Sequence, residues 1–241
     1  MSIHNARLEG RSEVAEGTMA FHFAKPDGFT FKPGQAIDLV LPALEGGGDP
    51  TAARHAFSIV SAPFEPDLMV ATRMRDSTYK RELKALPAFA TAKIEGPFGS
   101  LTLHKNAARG ALLVAGGIGI TPFMSMIRQA AKDQSPQRIV LLYSNRRPED
   151  SAFLGELGDL ARRNPNFTLV ATMTGMERSG VTWKGLSRMV DAAMVREAAQ
   201  GLADPIAYLA GPPAMVSALK GVLAGAGIDE DDIRSEEFFG Y

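Results

Sequence analysis

Residues 111–122 read Ala-Leu-Leu-Val-Ala-Gly-Gly-Ile-Gly-Ile-Thr-Pro, and this stretch decides the fold. Five apolar residues without polar alternation predict a strand buried on both faces, as in parallel sheets covered by helices. Glycines follow at Gly116, Gly117 and Gly119, and Pro122 then opens a helical pattern over 122–132. Strand, glycine turn and helix N-terminus in that order let the backbone approach a ligand and turn free N–H groups toward a phosphate. The spacing is not the usual G-x-G-x-x-G, so a tight turn with no ligand is the competing reading.

Downstream, the rhythm repeats. Strands are predicted at 139–143, 167–173 and 206–210, with helices over 150–163, within 185–200 and over 212–226. Repeated β-α units imply a parallel sheet whose ligand crevice lies at the carboxyl ends of the strands. Two more segments sit at such ends. Tyr143-Ser144-Asn145-Arg146-Arg147 offers a hydroxyl and two guanidinium groups, suited to a nucleotide 2′-phosphate, although a solvated charged loop reads equally well. Leu209-Ala210-Gly211-Pro212-Pro213-Ala214-Met215 is again strand, glycine turn and helix start.

Upstream, the pattern is different. Short strands at 17–24, 35–41, 56–61, 68–75 and 91–95 are separated by turn signals such as Pro33-Gly34 and the glycine-rich 46–50, predicting a small antiparallel barrel or sandwich. One helix, 77–86, interrupts it. The change of rhythm near 103–109 divides the chain into domains 1–104 and 105–241. Within the first, Arg54-His55-Ala56-Phe57-Ser58 combines cation, aromatic and hydroxyl on one strand, a pattern that an ordinary barrel strand also shows.

Composition narrows the function. The 241 residues are 45% hydrophobic and 22% charged, which fits globular domains and excludes disorder. A net charge of −1 gives no general attraction for nucleic acid or an anionic membrane. No apolar run is long enough to span a bilayer and no signal peptide opens the chain, so a cytoplasmic protein is expected. With no cysteine, thiol catalysis, thiolate-bound zinc and cysteine-held iron–sulfur clusters are excluded. The four histidines are scattered, and no metal site is expected.

Taken in order, RHAFSIVSAP, RMRDSTYKREL, EGPFGSLTL, AGGIGITPFMSM, YSNRRPEDSAFLGEL, LAGPPAMV and EEFFGY resemble the ferredoxin–NADP⁺ reductase family of flavoproteins over nearly the whole chain. The resemblance implies a stand-alone member without an iron–sulfur domain: an antiparallel β-barrel that binds FAD, followed by an α/β parallel-sheet domain that binds NAD(P). Phe57 would pack on the isoalloxazine ring, and Ser58, the catalytic candidate, would lie beside flavin N5 and position the nicotinamide. The family's arginine slot holds His55, with Arg54 one residue early. Either a bulge brings Arg54 to the flavin phosphate, or His55 replaces it with a weaker, pH-dependent charge. Thr72, Arg73 and Met74 would flank the ribityl chain, and Asp76, Ser77 and Thr78 would open the helix that holds the pyrophosphate.

In the second domain, Gly117, Ile118, Gly119 and Thr121 would border the pyridine nucleotide. Ser144, Arg146 and Arg147 would take the 2′-phosphate, favouring NADPH over NADH. Gly211, Pro212 and Met215 would close over the nicotinamide ribose, with Ala210 where many members carry a cysteine. One of the terminal aromatics, Phe238 or Tyr241, would cover the flavin. The implied activity takes hydride from NADPH onto FAD and passes electrons to a separate carrier such as ferredoxin or flavodoxin. The alternative acceptors are free flavin, a ferric chelate or an oxygenase component; a non-catalytic, nucleotide-binding subunit is the reading from a different class.

Overall fold

The computed structural model describes residues 2–44 and 52–239; the glycine turn at 46–50 and Tyr241 lie outside them. The first part comprises β1 (Ser2–Ala15), β2 (Thr18–Ala24), β3 (Ala36–Val40), β4 (Arg54–Ser58), β5 (Asp67–Arg73), α1 (Thr78–Ala85) and β6 (Thr91–Phe98). The strands form an antiparallel sheet in the order β4-β3-β6-β1-β2-β5. Just beyond β4, Ile59 bridges to Val70 of β5 and the Val60 N–H donates to the Met69 carbonyl at 2.8 Å, closing the sheet into a barrel. Alternation turns Phe21, Phe23, Ile37, Leu39, Leu68, Val70 and Ile94 inward. Helix α1 covers one end: Tyr79 and Leu83 are buried, and the Tyr79 hydroxyl donates to the Leu39 carbonyl at 2.7 Å.

The second part comprises β7 (Ala111–Gly116), α2 (Thr121–Lys132), β8 (Ile139–Asn145), α3 (Leu154–Arg163), β9 (Phe167–Met173), α4 (Ala192–Ala199), β10 (Ile206–Gly211), α5 (Pro213–Gly225) and β11 (Ile233–Glu237). Its sheet is parallel throughout, in the order β11-β10-β7-β8-β9. Every residue of β7 is buried. Leu113, Leu141 and Tyr143 pack with α2 and α3 on one face, and Leu112, Val114 and Leu142 with α4 and α5 on the other. The chain runs outward from β7 to β9, then returns to add β10 on the opposite side. That reversal leaves a crevice at the carboxyl ends of β7 and β10.

The fold is therefore the expected antiparallel barrel followed by a parallel α/β sheet, with local corrections. Strand β4 spans 54–58 rather than 56–61, because the chain after Ser58 leaves β3 to pair with β5. The helix predicted over 150–163 starts at Leu154, since Pro148–Asp150 forms a 3-10 turn and Phe153 takes a left-handed φ of 61°. The one sought within 185–200 is confined to α4, where the Asp191 carboxylate accepts from the Met194 N–H at 2.8 Å. Strands β1 and β11 were not predicted. No helix among the described residues is long and apolar enough to cross a membrane.

Candidate active site

The first cavity, about 300 Å³, opens at the barrel end beside α1 and is lined by His55, Ala56, Phe57, Thr72, Arg75, Asp76, Ser77, Lys80 and Phe239. Strand alternation decides which side chains reach it. His55 and Phe57 share a face of β4 and lean against Tyr79, with ring centroids 4.2 and 6.1 Å from it. Arg54 points the other way, paired with Asp38 at 3.2 Å and Glu95 at 2.6 Å. The arginine alternative is thus not brought to the cavity; the histidine is. Burial chiefly, and the Lys80 charge secondarily, hold the His55 pKa below its ordinary value, so the ring leans toward the neutral form.

Phe57 is only 6% exposed, and most of its ring belongs to the barrel core. Ser58 follows it, buried, and its Oγ has no hydrogen-bond partner. A buried hydroxyl in that state costs about 1–3 kcal/mol, so it marks a place where a polar partner is missing. Thr72 lines the cavity, whereas Arg73 turns toward Asp150 of the second part at 3.6 Å and Met74 packs against the barrel core. Ser77 caps α1, its Oγ accepting from the Lys80 N–H at 3.2 Å. Asp76 pairs with Arg81, and Thr78 begins the helix without lining the cavity. Arg75 and Lys80 supply the cationic wall. Neither was assigned a role from sequence, although both flank the Ser77-Thr78 helix start in RMRDSTYKREL.

In the crevice, two glycine loops press together. A Cβ on Gly119 would lie 2.2 Å from the Ala210 carbonyl oxygen, and one on Gly211 would lie 3.3 Å from the Gly116 nitrogen. A Cβ on Gly116 would meet the Met215 sulfur at 2.1 Å. Only Gly117, at φ +54°, faces open space on that side. Ile118 and Thr121 are buried, and the Thr121 hydroxyl donates to the Ile118 carbonyl at 3.1 Å. Pro212 is exposed at the crevice rim.

A second cavity, about 450 Å³, lies past the ends of β8 and β9 and is lined by Arg73, Arg146, Arg147, Asp150, Thr174, Gly175, Glu177 and Arg178. Arg146 and Arg147 line it; Ser144 does not, being half-buried in β8 opposite Gly116. Thr174 and Arg178 were missed, and their signal was that they follow the next strand end, in TGMER. Arg147 grips both Asp150 oxygens, at 3.0 and 2.8 Å. That pairing holds the Asp150 carboxyl below the usual carboxylate range. At the tail, the Phe238 N–H donates to the Gly211 carbonyl at 2.9 Å and its ring packs on the core, so Phe239, not Phe238, lies against the His55 cavity.

Residues 113–221 match the family model described as the oxidoreductase NAD-binding domain. The chain is 30% identical to ferredoxin–NADP reductase B of Sorangium cellulosum, covering 97% of this chain and 96% of that protein. The chain belongs to the ferredoxin–NADP reductase family. It is an NAD(P)H-dependent flavoprotein reductase. This reductase is also 28% identical to the glycine betaine monooxygenase reductase subunit of Chromohalobacter salexigens, over 92% of its own length but only 60% of that protein. A ferredoxin NADP⁺ reductase from Neisseria gonorrhoeae, solved with FAD and NADP, shares its fold at a TM-score of 0.78 and 19% identity, covering 98% of this chain and 99% of that one.

Proposed function

We propose that the reductase takes hydride from NADPH onto FAD and hands electrons singly to a separate carrier protein, ferredoxin or flavodoxin. Residues 1–104 form the FAD-binding part in this reading and 105–241 the nucleotide-binding part. The observation that carries it is the buried, unpartnered Ser58 hydroxyl, which a flavin ring nitrogen would satisfy. When bound, FAD supplies two-electron acceptance and one-electron release, which no side chain of this chain can provide.

The protein's own contribution is grip and geometry. His55, Arg75, Lys80 and the N–H groups at the start of α1 would hold the flavin's phosphates, with Thr72 and Phe239 along the ring system. Gly117 leaves room for the nicotinamide end to approach, between the 116–121 and 211–215 loops. Arg146 and Arg178 would bind the adenosine 2′-phosphate, which favours NADPH.

The test is an anaerobic titration of purified protein with NADPH and NADH, following flavin absorbance. Rapid bleaching by NADPH, slower by NADH, is expected. Ser58→Ala should keep the colour and slow reduction about tenfold, the equivalent of one positioned hydrogen bond. A coloured protein that neither nucleotide bleaches overturns the proposal. One observation favours a second acceptor: Arg54 is committed to Asp38 and Glu95, leaving His55 in its stead. That weakens the grip on the phosphates and suits a reductase of free flavin, which a colourless preparation with NADPH-dependent flavin reduction would establish. The similarity to a monooxygenase reductase subunit supports an oxygenase component as a further acceptor of the same electrons.

A further inference from the structure

The basic cavity holds four guanidinium groups, and they are not equivalent. Arg146 is exposed and has no carboxylate partner among the described residues, and Arg178 makes only an exposed contact with Glu177 at 3.7 Å. Arg147 is fully committed. Its Nε and Nη2 donate to Asp150, Nη2 also donates to Glu16 Oε2 at 2.9 Å, and Nη1 donates to the Arg178 carbonyl at 3.4 Å. Glu16 belongs to the barrel, on the tight turn between β1 and β2, and 131 positions separate it from Arg147. Its reach is fixed twice over. The Glu16 N–H donates to the Glu149 carbonyl at 2.8 Å, and the Glu149 carboxylate holds the Ser179 hydroxyl and the Gly180 N–H at 2.7 to 3.0 Å.

We propose that Glu16 and Asp150 are specificity residues that bias the choice of pyridine nucleotide by withholding Arg147 from the 2′-phosphate. This rests on the reading that the basic cavity takes the adenosine end of the nucleotide. A 2′-phosphate brings about two negative charges where the unphosphorylated nucleotide brings a neutral hydroxyl, so every carboxylate nearby acts selectively on the phosphorylated form. Glu16 does so in two ways: it repels the phosphate and it occupies the donor that would otherwise reach it. Asp150 does the same, and it also engages Arg73 at 3.6 Å. The cavity is therefore tuned below the affinity that its arginine count implies, and a barrel residue does part of the tuning.

The test needs no turnover. Flavin-loaded protein is titrated calorimetrically with 2′,5′-ADP and with 5′-AMP, and the ratio of the two dissociation constants is compared among variants. Glu16→Gln should shift the ratio toward 2′,5′-ADP by about twofold to fivefold, the range of an exposed ion pair. Glu16→Lys should exceed it, and Asp150→Asn should too, because it releases Arg73 as well. The shift should shrink as sodium chloride is raised, since Glu16 is 62% exposed. If Arg146→Ala weakens 2′,5′-ADP binding while Glu16→Gln and Glu16→Lys leave the ratio unchanged, Arg147 is a strut between the two parts; this inference then falls and the reading of the cavity stands. If Arg146→Ala and Arg178→Ala both leave 2′,5′-ADP binding unchanged, the cavity is not the adenosine site, and the reading falls with the inference.

Discussion

His55 shows how one residue's surroundings set its chemistry. Its ring packs against Tyr79 with Phe57 further off, and the Lys80 charge lowers its pKa while the Asp38 charge opposes. Burial is the largest influence, and it keeps the folded-state pKa below the ordinary 6.5. The sign of the pH effect follows. The unfolded chain binds the proton more tightly, so the stability tied to this group is complete above about pH 6.5 and drains as pH falls through the folded value. Flavin-free protein should therefore lose melting temperature between pH 7.5 and 5, and His55→Asn should remove part of that slope. His104, also shifted downward chiefly by burial, contributes to what is left, while Glu236, raised by burial, acts with the opposite sign. Identical slopes in the two proteins would mean that His55 titrates freely. The same residue marks a limit of sequence reading. Arg54 and His55 are adjacent, and which of them faces the cavity depends on the phase of β4 against β3, where Leu39 opposes His55 and Val40 opposes Arg54.

Among the elements, the two glycine loops carry the sharpest prediction. Gly119→Ala sets a Cβ against the backbone oxygen of Ala210, which cannot yield without moving β10. Gly117→Ala meets nothing and carries only the left-handed strain, about 1–2 kcal/mol. The expected result is that Gly119→Ala loses NADPH binding and several degrees of melting temperature, while Gly117→Ala melts closer to wild type. The reverse order in a thermal melt would show that the loops are not packed as described. These loops were legible in sequence because β7 is a continuous apolar run ending in glycine. The barrel's β1 was not: of its fourteen residues only Ala6 and Leu8 are fully buried, so no alternation marks it. Strand β11 (IRSEE) was hidden for a related reason, since it joins β10 through backbone pairing while four of its five side chains are polar or charged and three are exposed. Arg75, Lys80 and Arg178 escaped notice because cations near turns are usually solvated, and only the folded topology gathers them around cavities.

At the scale of the whole molecule, the proposed hydride transfer requires a set angle between barrel and sheet, and the structure ties that angle in two ways. One apolar core runs across the junction, bringing Val60, Met69 and Ala71 of the barrel together with Phe123, Met126 and Ile127 of α2. Polar ties flank it: the Ser125 hydroxyl donates to the Ser61 carbonyl at 2.7 Å, and Arg128 donates to both Glu156 oxygens at 2.7 and 2.8 Å while reaching the Val60 carbonyl and Glu65 at 3.4 Å. Arg128 is 10% exposed and is the one side chain among these that holds α2, α3 and the barrel at once. Replacing it with methionine keeps an unbranched chain in the space but strands the two carboxylates. Because Glu156 keeps 38% of its side chain in water, the cost falls below that of a fully buried pair, at about 2 kcal/mol. If the polar tie also fixes the angle, Arg128→Met should lower the rate of flavin bleaching by NADPH more than it raises the NADPH KM. It should leave flavin content unchanged, because Arg128 touches neither cavity that would hold the cofactors. A variant that melts earlier yet bleaches at the wild-type rate would assign the angle to the apolar core alone. Stability and geometry are separable there, since the core is continuous while the polar ties are discrete and can be removed one at a time.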